Sequence, residues 1–258
     1  MARTDARRLA ILEALREAGT VRVADLAGRF DISEVSVRRD LVKLEQYGLL
    51  QRVHGGATSI AAAPRGHSYE DRLRTRAEEK RRIGRAAAAL VQPGDCVILD
   101  SGTTVLQVAR ELSRGSFGRG QLTAITGSLP AFRELATASD MTLVVLGGVF
   151  LSDYQTLVGP QTLDTLSSLH ADKLFLGADG ISFSHGVTTR SVLEAEVSKA
   201  MIRVASEIIV VSDSRKIDSV SFTSILELSR LNRLVTDSDA SPQFIEALRR
   251  EGVEVILT

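Results

Sequence analysis

From Cys96 onward, seven short runs rich in Val, Ile, Leu and Phe are separated by helical segments, and this alternation constrains the fold more than any other feature of the chain. The apolar runs are residues 96–100, 122–126, 142–147, 173–178, 207–212, 233–236 and 253–257. The helical patterns fall at 105–112, 129–138, 160–169, 191–205 and 242–251. Apolar strands that alternate with helices predict a mostly parallel sheet covered on both faces. No internal repeat interrupts the pattern, and the only low-complexity stretches are short alanine runs. Residues 69–92 precede it and read as one long helix, charged in its first half and apolar in its second.

The first sixty residues obey a different rule. Leu9, Leu12 and Leu15 recur every third position, and Gly19 closes that helix. A short helix follows at 23–30. Ser33 is a good N-cap for a third helix, 33–47, which Gly48 ends. On a wheel of about 100° per residue, Val37, Leu41 and Leu44 form the packed stripe. Ser36, Arg39 and Lys43 lie opposite, with Ser33 at the tip and Arg38 and Asp40 on the flanks. Hydroxyl, guanidinium and ammonium groups on one helix face suit guanine edges and phosphates in a major groove. An ordinary solvated face would carry the same residue types. The short strand at 49–53 and the turn His54-Gly55-Gly56 decide the matter, because a helix-turn-helix followed by a basic wing with Arg52 and His54 is mainly a DNA-binding shape. Charge agrees: residues 1–82 hold 17 Lys/Arg and 12 Asp/Glu, whereas the remainder holds 15 and 20. Duplex DNA rewards such a local excess even in a chain of zero net charge.

The stretch DISEVSVRRDLVKLEQYGLLQRVHGGA, within residues 26–57, resembles the N-terminal domain of the DeoR family of bacterial transcriptional regulators. The resemblance implies a winged helix-turn-helix with Ser36, Arg38 and Arg39 on its recognition helix. The body resembles the family's effector domain through LDSGTT, GGVFLSDYQTLVG, FLGADGIS and EAEVSKAMI. By that resemblance the effector domain is related in fold to ribose-5-phosphate isomerase and sugar-phosphate deaminases, and senses a phosphorylated sugar or related metabolite. Where the family commonly has TNS this chain has Thr126-Gly127-Ser128, which removes an amide. Ser198-Lys199 replaces a common Lys-Arg pair.

In a parallel sheet, ligands bind beyond the carboxyl ends of the strands. Those ends carry Asp100-Ser101-Gly102-Thr103-Thr104, Thr126-Gly127-Ser128, Gly147-Gly148, Gly177-Ala178-Asp179-Gly180 and Ser212-Asp213-Ser214-Arg215-Lys216. Any one such loop has turn and cap reasons for its Gly, Ser, Thr and Asp. Five together favour a sugar-phosphate site, with amides and hydroxyls on the phosphate, Asp100 and Asp179 on sugar hydroxyls, and Lys216 balancing charge. Asp213, Glu194 and Lys199 complete the candidate effector set. Glu194 and Lys199, five residues apart, share no helix face and read as a solvated pair rather than a catalytic one. Asp153 and Tyr154 fall in a loop that is either a lid or a connection.

Several classes drop out. The lone Cys96 excludes a disulfide framework, and the four histidines lack metal-ligand spacing, so no metal or cofactor is expected. Glu13 and Arg16 interrupt the N-terminal apolar residues, and no run approaches the roughly 18 a membrane span needs, so the cytoplasm is the expected location. An enzyme of the isomerase or deaminase type, with Asp179 and Glu194 as acid and base, is the rival reading. Against it, Gly180 stands where the isomerases have a second carboxylate, and no Lys-Gly-Gly-Gly loop follows. The expectation is therefore an α/β protein, with a winged helix-turn-helix at 1–58, a linker at 59–75 and an effector domain at 76–258. It would act as a homodimer or homotetramer on double-stranded operator DNA, repressing sugar or polyol genes until a phosphorylated sugar releases it.

Overall fold

The structure is a computed structural model that describes residues 3–46, 50–53, 55–58, 68–115, 122–138 and 141–258. It divides into two compact units, Met1–His67 and Ser68–Thr258.

In the first unit, α1 (Arg3–Ala18) ends at Gly19, whose φ of 71° is the left-handed conformation glycine adopts without strain. After β1 (Thr20–Arg22) come α2 (Val23–Phe30) and α3 (Glu34–Gln46). Then β2 (Gln51–Val53) and β3 (Gly56–Thr58) form the wing, with β3 central between β1 and β2. Ile11 and Leu15 of α1, Leu26 of α2, and Val37, Leu41 and Leu44 of α3 meet in one buried core. Gly56 is dictated by packing: a Cβ there would lie 2.0 Å from the carbonyl oxygen of Val21. The sequence pattern gave no sign of β1, which borrows its partner from a strand 36 residues away in the chain and so has no local signature.

In the second unit, seven strands form a parallel sheet: β4 (Cys96–Leu99), β5 (Thr123–Thr126), β6 (Thr142–Val145), β9 (Ala171–Leu176), β12 (Ala205–Val211), β14 (Arg233–Thr236) and β15 (Glu254–Leu257). Their order is β15-β14-β12-β9-β4-β5-β6. These are the seven apolar runs, and the expected helices appear as α6 (Val105–Arg114), α7 (Leu129–Leu135), α8 (Pro160–Ser167), α9 (Val192–Val204) and α10 (Pro242–Arg250). Leu99, Phe175, Ile209 and Val235 from the sheet are sealed by Ile83 and Ala87 on one helix and Val108 and Leu112 on another. Two small antiparallel additions were not expected: the ribbon β7 (Val149–Leu151) with β8 (Thr156–Val158), and a sheet of β10 (Gly180–Ser182), β11 (Gly186–Thr189) and β13 (Thr223–Leu226).

The helix expected over 69–92 is two helices, α4 (Tyr69–Arg74) and α5 (Ala77–Ala88). Ser68 and Asp71 form a capping box that starts α4. Arg76 breaks the run at φ 52°, a conformation costing on the order of 1 kcal/mol for a residue with a Cβ. The offset is visible: its guanidinium lies 3.0 Å from Asp237, which is fully buried, and 2.5 Å from Asp239. Periodicity cannot reveal partners 161 and 163 positions away. All of α4, which the sequence placed in the linker at 59–75, falls within the second unit, Ser68–Thr258; residues 59–67 lie outside the described residues.

At the α5–α6 crossing, a Cβ on Gly84 would sit 2.5 Å from the Cβ of Gln107. Gly84→Val forces these helices apart. It is expected to lower stability by about 3 kcal/mol, read as a drop in the urea midpoint; an unchanged midpoint would show that the crossing is not tight.

Candidate functional site

The strand order places the reversal point of the sheet between β4 and β9. From β4 the chain builds outward through β5 to β6, then returns to the other side of β4 as β9 and continues through β12. The loops leaving β4 and β9 therefore diverge to opposite sides and open a crevice at the carboxyl ends of the strands, where open α/β sheets bind ligands.

Asp100 follows β4 directly. Its backbone N–H donates to the Phe175 carbonyl at 3.1 Å, and its Oδ2 accepts the Gly177 N–H at 3.2 Å, which ties the two diverging loops together. Ser101 donates its hydroxyl to Glu194 Oε1, and Thr189 donates to Glu194 Oε2 at 3.0 Å. Asp179 accepts from the Arg190 N–H at 3.2 Å and faces Lys216 Nζ at 3.4 Å, with Arg190 Nε at 3.8 Å. Lys216 arrives on the short 3₁₀ turn Ser214–Lys216 after β12, which Asp213 caps and which Asp237 anchors by accepting the Ser214 N–H at 2.8 Å. Adjacent strands β12, β9 and β4 thus deliver one ammonium and two carboxylates to a single crevice, and α9 adds a third carboxylate.

Glu194 is not the solvated residue that its spacing from Lys199 suggested. It is 8% exposed, held by two hydroxyls, and stands at the start of α9, where Ser191 caps the helix. Lys199 lies exposed and makes none of these contacts. Spacing along one helix could not expose this, because the partners of Glu194 come from β11 and from the loop after β4. Burial pushes the Glu194 carboxyl up to about 8, with the neighbouring Asp100 adding to the effect, and burial pushes Asp100 up to about 7.

Of the other expected residues, Thr103 and Thr104 are buried in the turn into α6, and Gly102 takes a φ of 113° within it. Thr126 donates to the Leu99 carbonyl at 2.8 Å, and Ser128 caps α7. These side chains hold the turns in shape. Gly147 and Gly148 follow β6, three strands from β9 and so about 14 Å away at the usual strand spacing. The Gly147 carbonyl accepts from Thr162, and a Cβ on Gly148 would meet the same hydroxyl at 2.4 Å. Gly180 opens β10.

Sequence reasoning missed four residues beside the crevice: Arg190, Arg72, Lys80 and Tyr154 in this role. Arg72 of α4 lies 5.0 Å from the ring of Tyr154 and 5.8 Å from that of Tyr69, and donates to the Asp153 carbonyl at 2.7 Å. Burial raises the Tyr154 hydroxyl above the usual tyrosine range, and the nearby charges of Glu194 and Asp179 push in the same direction. Lys80 of α5 donates to the Arg72 carbonyl; burial pulls its ammonium down to about 8, opposed by Asp213 and helped by Arg215 and Lys216. The loop of Asp153 and Tyr154 is thus fastened to α4. Nothing local in the sequence signals contacts across 81 positions.

On the first unit, Ser33, Arg38, Arg39 and Lys43 are exposed and Ser36 is half-buried, all on or beside the outward side of α3. Ser33 and Ser36 hydroxyls lie 3.0 Å apart, and Arg38 pairs with Glu34 at 2.6 Å. Arg52 on the wing lies 3.6 Å from Glu45. His54 lies outside the described residues. Among the described residues no group of three or more His, Cys, Asp or Glu could hold a metal ion, and no helix is long and apolar enough to cross a membrane.

A family model described as a DeoR-like helix-turn-helix domain matches residues 7–63, and one described as a DeoR C-terminal sensor domain matches residues 75–238. The chain is 36% identical over 259 residues to a putative aga operon transcriptional repressor of Escherichia coli O157:H7, covering 98% of this chain and 94% of that one. It is 35% identical to the transcriptional repressor GlcR of Bacillus subtilis, covering 98% and 95%. It is 36% identical to a lactose phosphotransferase system repressor of Streptococcus mutans, covering 88% and 89%. A ribose 5-phosphate isomerase from Methanocaldococcus jannaschii has a TM-score of 0.41, 21% identity and 55% coverage of each chain.

Asp100 and Glu194 bind protons more tightly in the folded chain than in the unfolded one. The stability tied to them is therefore complete below about pH 4 and is lost as the pH rises through about 7 and about 8. The melting temperature is expected to fall from pH 5 to pH 8, and Glu194→Gln is expected to flatten that fall. A variant with the parent's pH slope would contradict the assignment.

Proposed function

This chain belongs to the DeoR family of bacterial transcriptional regulators, and we propose that it represses sugar-metabolism genes until a phosphorylated sugar occupies the crevice at the reversal point of its sheet. The observation that carries this reading is the meeting of Asp100, Asp179, Glu194, Arg190 and Lys216 at the carboxyl ends of adjacent strands. Carboxylates are the groups that accept hydrogen bonds from sugar hydroxyls, and Lys216 with Arg190 supplies positive charge for a phosphate. The names of the relatives point the same way, since they include repressors of the aga operon and of a lactose phosphotransferase system.

On the DNA side, Arg39 and Ser36 of α3 would read base edges, Arg38 would lie beside them, and Lys43 with Arg52 of the wing would hold the backbone. A single head of this size buries little DNA. Homodimers or homotetramers are expected, with half-sites about 34 Å apart or at multiples of that distance. The signal would leave the crevice through α4, because Tyr154 grips Arg72 of that helix from one side, while Arg76, at its end, grips Asp237 beneath the Lys216 turn. Ligand that displaces either loop then pulls on the segment that leads back to the DNA-binding unit. A coupling of about 1–3 kcal/mol, or about 5- to 150-fold in operator affinity, is the usual scale.

The test is a gel shift on the promoter of the chain's own operon, repeated with a panel of sugar phosphates. One of them is expected to release the fragment without being consumed; turnover would favour an enzyme. Arg39→Ala is expected to abolish specific retention while leaving sugar-phosphate binding intact, and a retained footprint at fixed salt would remove α3 from the interface. Asp100→Asn is expected to bind the fragment normally and to resist release, whereas normal release would remove that loop from the site.

A further inference from the structure

The outward pole of α3 carries an apolar side chain. On a wheel of about 100° per residue, Val35 and Arg39 each stand about 160° from Val37, on either side of the point opposite the packed stripe. They are one turn apart, and both are exposed. Val35 is 56% exposed, more than any other large apolar side chain of the first unit among the described residues.

Not every position off the stripe faces outward. Asp40, a flank position on the wheel, is 2% exposed, because Arg7 and Arg8 of α1 donate to its two carboxylate oxygens at 2.7 and 2.9 Å. Other polar groups of α3 bind one another: Arg38 pairs with Glu34 at 2.6 Å, and the hydroxyls of Ser33 and Ser36 lie 3.0 Å apart. Arg39 pairs with none of the described residues. Val35 gains nothing from the fold in this place. It takes no part in the buried core of its unit, and a β-branched residue forms helix less readily than alanine, lysine or glutamate. A lone exposed valine is ordinary on a protein surface. One that breaks local preference without packing, at the pole of a helix that reads DNA, points to a contact outside the unit.

The major groove offers a partner for each of the two side chains. The thymine C5-methyl is the apolar group on its base edges, and guanine O6 and N7 accept both arms of a guanidinium. The N-terminal residues of a recognition helix are the ones that reach those edges, and Val35 is the second residue of α3. We propose that Val35 is a specificity-determining residue that packs its methyl groups on the C5-methyl of an operator thymine, beside a guanine held by Arg39. The two bases lie within about two base pairs of each other, since four helical residues advance about 6 Å and base pairs stack about 3.4 Å apart. This inference rests on the reading of α3 as the recognition helix, and it adds an apolar contact to the polar ones of Ser36 and Arg39.

The experiment compares the affinity of the full chain for two versions of the promoter fragment of its own operon, one made with thymine and one with uracil, which pairs alike but lacks the C5-methyl. The unaltered chain is expected to bind the uracil fragment less tightly, by about 4-fold for each thymine contacted, the scale of one methyl removed from an apolar contact. Val35→Ser, on an exposed site that leaves the core intact, is expected to weaken binding to the thymine fragment and to lose the preference that Val35 supplies. Val35→Thr keeps one methyl and is expected to keep the preference. Equal affinity of the unaltered chain for both fragments would overturn the proposal. So would an undiminished thymine preference in Val35→Ser, with or without a fall in melting temperature. Binding of neither fragment above a random-sequence duplex would remove the DNA-binding reading itself.

Discussion

Carboxyl groups buried together at one point of a sheet are costly to ionise, and this structure crowds three. Asp100, Asp179 and Glu194 are brought together because β4 and β9 are neighbours whose onward connections run in opposite directions. The cost is met locally: hydroxyls from Ser101 and Thr189 hold Glu194, backbone N–H groups hold Asp100 and Asp179, and Lys216 and Arg190 stand over Asp179. Everything around the crevice follows from keeping these groups in register. Asp213 and Asp237 shape the turn that carries Lys216, and Arg76 accepts a left-handed backbone to reach Asp237. A sheet without that reversal would have no reason to assemble them.

The arrangement also explains why a ligand there could be felt at a distance. Asp237 is common to the crevice and to α4: it supports the Lys216 turn and holds Arg76 just beyond that helix. Arg72 is held by the ring of Tyr154 and by the Asp153 carbonyl, Lys80 holds the Arg72 carbonyl, and Arg76 ends on the Asp237 that supports the Lys216 turn. A shift in either loop changes the seat of α4. The small head uses a comparable economy: one buried aspartate on α3 holds two arginines of α1.

Much of this is legible in the sequence. The seven strands and the helices between them come directly from apolar runs, because a strand buried on both faces leaves a continuous hydrophobic signature. The stripe of Val37, Leu41 and Leu44 likewise specifies which side of α3 packs. Asp100, Asp179 and Lys216 were legible as strand-end residues. What stayed hidden depended on long-range pairing. The three strands β10, β11 and β13 are short and lie against one another rather than in the main sheet. Arg76 breaks a helix that its own neighbours favour. Glu194 looked solvated because its partners are 93 positions upstream and on a different strand, and Asp40 read only as a flank position because its partners lie in another helix. Periodicity reports which side of an element faces inward and is silent about which charges find each other there.

The central claim is that two separate units share one free energy, so that occupancy of the crevice and grip on DNA oppose each other. Linkage makes this measurable in the reverse direction. The sugar phosphate that weakens promoter binding by some factor must itself bind the DNA-loaded protein more weakly than the free protein by the same factor. Calorimetric titration of that compound into the full chain, with and without saturating promoter DNA, reads both affinities. The account predicts a ratio within about 5- to 150-fold that equals the ratio from the gel shift. Equal affinities in the presence and absence of DNA would contradict it.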